Sequence, residues 1–347
     1  MILLTFRDLV YRRTRFIVVT LLGAVVFALL FVMTGLVDQM NVEPFETVGT
    51  LGADVWIVPE GISGPFTAVS AAPISALDAV TAENKSAAVV SRSSLSTGEM
   101  TDEVILVGHE PNGLGSPPIV EGSAASLSGD LVVDSTLGLD VGDEVTVGGM
   151  GFTVVGESQD TTLLAGVPLA FMTLSDAQNL TFRTTDVISA VLVAGEVDAM
   201  PQGAKAMTAD EVAADLLNPL DGAITSIDLV RALLWMVAAV IIGAVVYLSA
   251  LERQRDFAVL KAMGAPNSAL LGSLALQAVL VALSAVAVAA VIQIFLAPQF
   301  PLPVVVPART FWQLPLLAVV MALAAGAVGM RKVLRSDPSQ AFSGAGV

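Results

Sequence analysis

Cysteine is absent from the 347 residues, and histidine occurs once, at position 109. The first absence excludes disulfides and thiolate chemistry and leaves the redox compartment unreadable from cysteine usage. The second excludes a His-x-x-x-His metal pair, because His109-Glu110 has no second imidazole to join it. No Gly-x-Ser-x-Gly elbow accompanies His109, so it reads as a solvated loop residue rather than a catalytic base. Asp140, Asp143 and Glu144 lack the rest of a calcium-loop pattern. Lysine stands only at positions 85, 205, 261 and 332 and never after glycine. The phosphate-cradling Gly-x-x-x-x-Gly-Lys-Ser/Thr loop is therefore missing, and ATP hydrolysis cannot reside here.

Charge is scarce too, at 14% of residues, whereas 55% are hydrophobic. That balance belongs to a membrane protein. A hydrocarbon core about 30 Å thick needs roughly 20 helical residues. Four apolar stretches meet that length: Phe16 to Val37, Ala232 to Leu251, Leu270 to Leu296 and Phe311 to Met330. The first exceeds the apolar core of a signal peptide, which runs to roughly 15 residues, and no Ala-x-Ala site follows at once; it reads as a retained anchor.

Basic residues set the orientation. Arg7, Arg12, Arg13 and Arg15 precede the first stretch, Arg253, Arg255 and Lys261 separate the second from the third, and Arg331, Lys332 and Arg335 follow the fourth. Only Arg231 and Arg309 flank the opposite side, so both termini and the Glu252 segment are expected in the cytoplasm of a plasma (inner) membrane protein. Trp235 and Trp312 fall near the outer span ends, where indoles straddle the interface. Apart from Asp8, Glu252, Asp256 and Asp337, all 32 acids then lie outside, which argues against nucleic acid as a partner.

The expected organisation is an amphipathic cytoplasmic helix (1–15), a first span (16–37), a large outer domain (38–228), a second span (229–251), a cytoplasmic helix (252–267), a third span (268–297), an outer loop (298–310), a fourth span (311–330) and a cytoplasmic tail (331–347). In the outer domain, strand-like runs are Asp54 to Val58, Ala87 to Val90, Val104 to Val107, Leu131 to Asp134, Glu144 to Val147, Phe152 to Val155, Leu169 to Met172 and Val187 to Val193. The clearest is Asp143 to Gly156, two alternating strands about a Gly-rich turn. Helical runs at Ile74 to Asn84, Leu174 to Leu180 and Thr208 to Asn218 make the domain α+β. In the spans, Arg231 reads either as a gate for anions or as a side chain reaching to headgroups. Gln277 and Gln293 suit pairing across helices, and Ala322-x-x-x-Gly326 and Ala325-x-x-x-Gly329 suit close helix approach.

Between the second and third spans lies Glu-Arg-Gln-Arg-Asp-Phe-Ala-Val-Leu-Lys-Ala-Met-Gly-Ala, Glu252 to Ala265. Strong helix formers fill it, Gly264 suits a left-handed C-terminal position, Pro266 blocks continuation and Asn267 offers an N-cap for the next helix. Charges crowd its first turns, and Phe257, Leu260 and Gly264 share one side with Val259 and Met263 adjacent. On spacing alone this is either a docking helix or an ordinary loop whose charges enforce topology.

The segment resembles the coupling-helix signature of FtsX-like permeases, the MacB and lipoprotein-release class of ABC transporters: Glu-Arg, an acidic residue, then Ile-Gly-x-x-x-Ala-x-Gly-Ala. Glu252-Arg253, Asp256, Phe257, Ala262, Gly264 and Ala265 occupy those places, with Ala258 where the family has glycine. Leu137 to Val155 is similar to part of the MacB-type extracytoplasmic domain. The resemblance implies a permease subunit, not itself an enzyme, with four transmembrane helices. It implies a separate ATP-binding subunit carrying ATP and magnesium, and a second permease copy, as homodimer or with a sister chain. Its ATPase contact would be Glu252, Arg253, Arg255, Asp256, Phe257, Leu260, Met263 and Gly264. The output is open between export of a lipid, peptide or drug-like substrate, force transmission to a cell-wall hydrolase through an extracytoplasmic partner, and an ATPase-free adhesion or sensing protein.

Overall fold

The computed structural model describes residues 13–98, 100–252, 259, 263–264, 266–300 and 304–334. Two compact units result, one of Met1–Asp38 with Thr225–Val347, the other of Gln39–Ile224.

The first unit is helical: α1 (Arg13–Thr50, its first part), α5 (Asp221–Glu252, its later part), α6 (Asn267–Leu296) and α7 (Thr310–Leu334). Among the described residues, three helical runs are long and apolar enough to cross a membrane, Phe16–Thr50, Ala209–Ser249 and Gly272–Gln299, and a shorter apolar run covers Thr310–Ala324. Small side chains make the core: Ala24, Ala28, Ala238, Ala278, Ala282, Ala285, Ala289, Ala318 and Ala322 are buried, with Phe27, Phe31 and Ile242 filling between them. With no water to expel between apolar helices, close approach of small residues is what holds such a bundle. A Cβ added at Gly23 would lie 3.2 Å from that of Ala285. Ile17, Val18, Leu21, Leu22 and Val25 of α1 are exposed, as a lipid-facing stripe should be. Gln277 donates from Nε2 to Ser249 Oγ at 3.0 Å, the cross-helix pairing expected of it. Arg231 is paired with Asp228 at 3.0 Å, a local ion pair that neither sequence reading included. Arg309 is paired with Asp38.

The second unit is built on β1 (Val55–Pro59), β2 (Ala72–Pro73), α2 (Ser75–Ala79), β3 (Asn84–Ser96), β4 (Thr101–His109), β5 (Ile119–Gly122), β6 (Asp130–Asp134), β7 (Glu144–Val147), β8 (Met150–Ser158), β9 (Thr162–Leu163), β10 (Val167–Thr173), α3 (Leu174–Phe182), β11 (Val187–Ile188), β12 (Ala190–Ala194), β13 (Ala204–Thr208) and α4 (Ala209–Leu217). The main sheet runs β13-β1-β12-β3-β4-β10-β6-β8-β5. Because β7 pairs with both β8 and β3, the strands β3-β4-β10-β6-β8-β7 close on themselves as a six-stranded barrel. Val89, Leu95, Val104, Leu106, Leu131, Val133, Val145, Val147, Phe152 and Val154 form one buried cluster with Ala177 of α3. A second cluster joins Val48 and Leu51 at the end of α1, Trp56, Phe66, Phe171 and Leu192 to Val212 and Leu216 of α4.

The predicted hairpin is present: β7 and β8 pair antiparallel around Gly148 and Gly149, whose φ values of 56° and 87° require glycine or its few substitutes. Elsewhere the structure corrects the sequence reading. The run Val187 to Val193 is divided at Ser189, whose hydroxyl takes a ladder position against Val90. The helix expected over Ile74 to Asn84 stops at Ala79, where Lys85 Nζ donates to the Leu77 and Val80 carbonyls at 2.7 and 2.6 Å. The helix that contains the expected first span, 16–37, continues to Thr50 through Pro44. α4 opens on a reciprocal cap between Thr208 and Glu211.

Candidate functional site

The connection between α5 and α6 begins at Glu252, the exposed last residue of α5. Arg253, Arg255, Asp256, Phe257 and Leu260 lie outside the described residues. Val259 is helical, and the Met263 amide donates to its carbonyl at 3.0 Å, the bond of an α-helical turn. Gly264 follows at φ 89°, so the turn ends in the left-handed conformation that the sequence predicts. Pro266, at φ −67° and ψ 144°, holds the cap position of α6, and Asn267 is the first helical residue. The expected Asn267 N-cap is thus displaced by one: Pro266, extended through its ψ, stands at the cap position, and Asn267 takes up the helix. Val259 is 53% and Met263 70% exposed. Four residues apart on a helical turn, they share a side, and their apolar surface has no cover among the described residues.

A second constellation was not legible in advance. Glu43, 2% exposed, sits on the continuation of α1, immediately before Pro44. Its carboxylate accepts from the Ala165 and Gly166 amides, both at 2.9 Å, and from the Thr162 hydroxyl. One turn on, Thr47 donates to the Thr162 carbonyl at 2.7 Å. The loop so gripped holds Asp160, Leu164 and Ala165 at φ values of 58°, 54° and 67°, a conformation that side chains resist and neighbours must enforce. Its other end is held by Asp134, fully buried, which accepts from the Thr161 amide at 2.7 Å and the Thr161 hydroxyl at 2.8 Å. Two buried carboxylates therefore clamp one strained loop between β8 and β10. Glu-Pro inside an otherwise continuous helix was the available sequence signal.

His109 corrects the loop reading: it ends β4 and is 1% exposed. Its Nδ1 faces the Glu110 carbonyl at 2.9 Å and Ser116 Oγ at 3.1 Å, which fixes the proton on Nδ1. Among the described residues Nε2 is buried without a hydrogen-bond partner, and the imidazole lies edge-on to the Phe171 ring with centroids 6.4 Å apart. Burial pushes the imidazole below its usual pKa, against a smaller upward pull from the Glu110 carbonyl. An unfolded histidine binds its proton near about 6.5, so below that pH the unfolded chain holds more protons and folding weakens; above it the contribution is complete. Lowering pH from 7.5 to 5.5 should therefore reduce the unfolding midpoint of the second unit more in the parent protein than in His109→Asn. Equal pH slopes in thermal melts would refute the buried neutral ring.

Comparison with known proteins bears on the whole chain. The FtsX-like permease C-terminal family matches residues 229–338. An uncharacterised ABC transporter permease of Mycobacterium bovis is 37% identical over 351 residues, spanning 99% of this chain and 100% of the relative. One from Mycobacterium tuberculosis is 38% identical over 350 residues, again spanning 99% and 100%. A putative hemin transport system permease protein, HrtB, of Staphylococcus epidermidis is 26% identical over 147 residues, 41% of each chain. Among solved structures, the extracellular domain of the noncanonic ABC-type transporter YknZ from Gram-positive bacteria aligns over 99% of its length and 45% of this chain, with 14% identity and a TM-score of 0.31, too loose a likeness to carry an inference. With its apolar helices and its inserted α/β unit, this chain belongs to the FtsX-like family of ABC transporter permeases.

Proposed function

We propose that this permease exports a lipid, peptide or drug-like substrate, driven by a separate ATP-binding subunit that docks on the turn following Glu252. The observation that carries this reading is the exposed Val259–Met263 pair on a turn closed by Gly264. It is apolar surface beside a charged segment, the chemistry of a partner contact. In this reading all four apolar helices span the bilayer, both termini are cytoplasmic, and two permease copies bind two ATPases. ATP-driven closure would push on the turn. α1 and α5 each continue as helix into the residues of the outer unit, so they would carry the stroke outward. The spans offer almost no ionisable side chains to line a tunnel, so substrate would be taken from the outer leaflet or the outer domain. Force transmission to a cell-wall hydrolase, the rival output, has no observation in its favour here. Family membership, which implies an ATP-binding partner, sets aside the ATPase-free adhesion reading.

The lack of native cysteine makes the test direct. Single cysteines at Val259 or Met263 should react with a membrane-impermeant maleimide only after cells are permeabilised, whereas one at Val69 should react in intact cells. An ATP-binding subunit should copurify with the parent chain and be lost when residues 252–265 become a neutral linker. Labelling of Val259→Cys in intact cells, or copurification that survives the linker, would overturn the proposal.

A further inference from the structure

Strand β3 changes partners along one edge. As far as Ala88 it is paired with β12, and from Leu95 with β7. Between those points no described strand covers it. The Val90 amide and carbonyl are met by the Ser189 hydroxyl at 3.0 and 3.2 Å, and the Ser94 carbonyl accepts from the Gly148 amide at 3.2 Å. Strand alternation turns the Arg92 N–H and C=O to the same edge. No strand hydrogen-bonds to them there among the described residues.

This gap opens into a cavity of about 490 Å³, well within the range of ligand sites. One wall is Phe66 to Ser70, the other Leu180 to Phe182. Both are fixed in advance. The Phe66 ring packs on Trp56 with centroids 5.4 Å apart, Thr67 bonds to Asp215, Ser70 bonds to the Ser189 carbonyl, and the Thr181 and Ser91 hydroxyls meet at 2.8 Å. Val69 stands at the rim, 87% exposed. Arg92 is among the lining residues, and its half-exposed guanidinium meets Glu103 at 3.5 Å. So exposed a pair is weakly held, and an arriving carboxylate can replace it. Lys85, another of the few cations of this unit, is committed to the carbonyls that end α2.

We propose that the gap in β3 binds a short extended peptide bearing a carboxylate. The open stretch from Ser91 to Ser93 accommodates about three residues at roughly 3.3 Å each. The peptide adds as a strand fragment, exchanges both backbone hydrogen bonds with Arg92, lays alternate side chains on Phe66 and Phe182, and places its carboxylate on the guanidinium. An acyl amphiphile would use the same walls and the same charge but leave the backbone pair unmade. Only the peptide's role as substrate or regulator rests on the exporter reading; its capture does not.

The test uses the full chain in lipid nanodiscs, without any ATP-binding subunit, and a fluorescent N-acetyl tetrapeptide library carrying Asp or Glu at one position and apolar residues elsewhere. Members should bind, lose binding when the central amides are N-methylated, and weaken by about tenfold or more in Arg92→Gln. Val69→Asp, at the exposed rim, should weaken them without touching the fold. No binder in the library, indifference to N-methylation, or palmitate displacing every binder while itself sensitive to Arg92→Gln would each overturn the proposal. A bound peptide that leaves ATP hydrolysis unchanged in the complete transporter would remove the substrate role and leave the site standing.

Discussion

Glu43→Ala is expected to lower the unfolding midpoint of the Gln39–Ile224 unit by roughly 10 °C. The carboxylate is buried and accepts three hydrogen bonds, two of them from the backbone of a loop whose φ angles are held against preference. Alanine leaves the half-buried Ala165 and Gly166 amides without their carboxylate acceptor. Hydrogen bonds to a charged group contribute about 1.5–3 kcal/mol each, and stranded buried donors retain their desolvation cost. A loss of about 3–5 kcal/mol follows, at 2–4 °C per kcal/mol for a unit of this size. The Glu43→Gln variant should fall between. Its amide oxygen can still accept from Thr162 and Gly166, the two donors that share Oε1 of the native carboxylate, but its NH₂ confronts the Ala165 amide. Thr47→Val removes one further bond and should cost only about 1 kcal/mol. Fluorescence of Trp56 reads the melt directly if Trp235 and Trp312, outside this unit, are replaced by phenylalanine. Full stability in Glu43→Ala would mean that the loop keeps its conformation unaided.

The functional consequence is separable from stability. The clamp is how the last turns of α1 grip the barrel loop; under the proposed function, loosening it should reduce coupled transport while leaving ATPase association intact. At temperatures where Glu43→Gln remains folded, substrate-dependent ATP hydrolysis should already be depressed.

Local and periodic signals carried most of the fold. The β7–β8 hairpin was readable because alternation and a Gly-Gly turn coincide within fifteen residues, and the end at Gly264 because left-handed geometry has few residue choices. Barrel closure was not readable. It depends on two residue pairs between β3 and β7, fifty residues apart, that no local pattern encodes. The apolar run marks a span at 16–37 but not how far its helix goes: beyond it α1 continues to Thr50, where Asp38 pairs with Arg309 and Glu43 and Thr47 find distant partners. His109 was misread for a related reason. A lone histidine beside Glu110 looks solvated until β3 and β10 flank its strand. For the segment after Glu252 the sequence supplied the motif, and the structure adds a closed final turn with two apolar side chains uncovered among the described residues.

The double substitution Val259→Glu with Met263→Glu is expected to abolish association with the ATP-binding subunit. Two uncovered apolar groups one turn apart are what the centre of a protein interface requires, and truncating such anchors typically costs about 2 kcal/mol or more each. Carboxylates there would also have to be desolvated without partners, so the combined loss should exceed about 4 kcal/mol, a thousandfold in affinity. Membrane insertion should not change, because orientation follows Lys and Arg near the spans and responds little to added acids. The Trp56 melt should not move either, since both side chains lie on the surface of the other unit. This pattern divides the two readings of the segment. If Glu252 to Ala265 only enforces topology through its charges, the double variant keeps its arginines and lysine and should behave as the parent does. If the turn is the seat of the motor subunit, copurification disappears and ATP hydrolysis returns to the rate of the free ATPase, while the permease remains folded and correctly inserted.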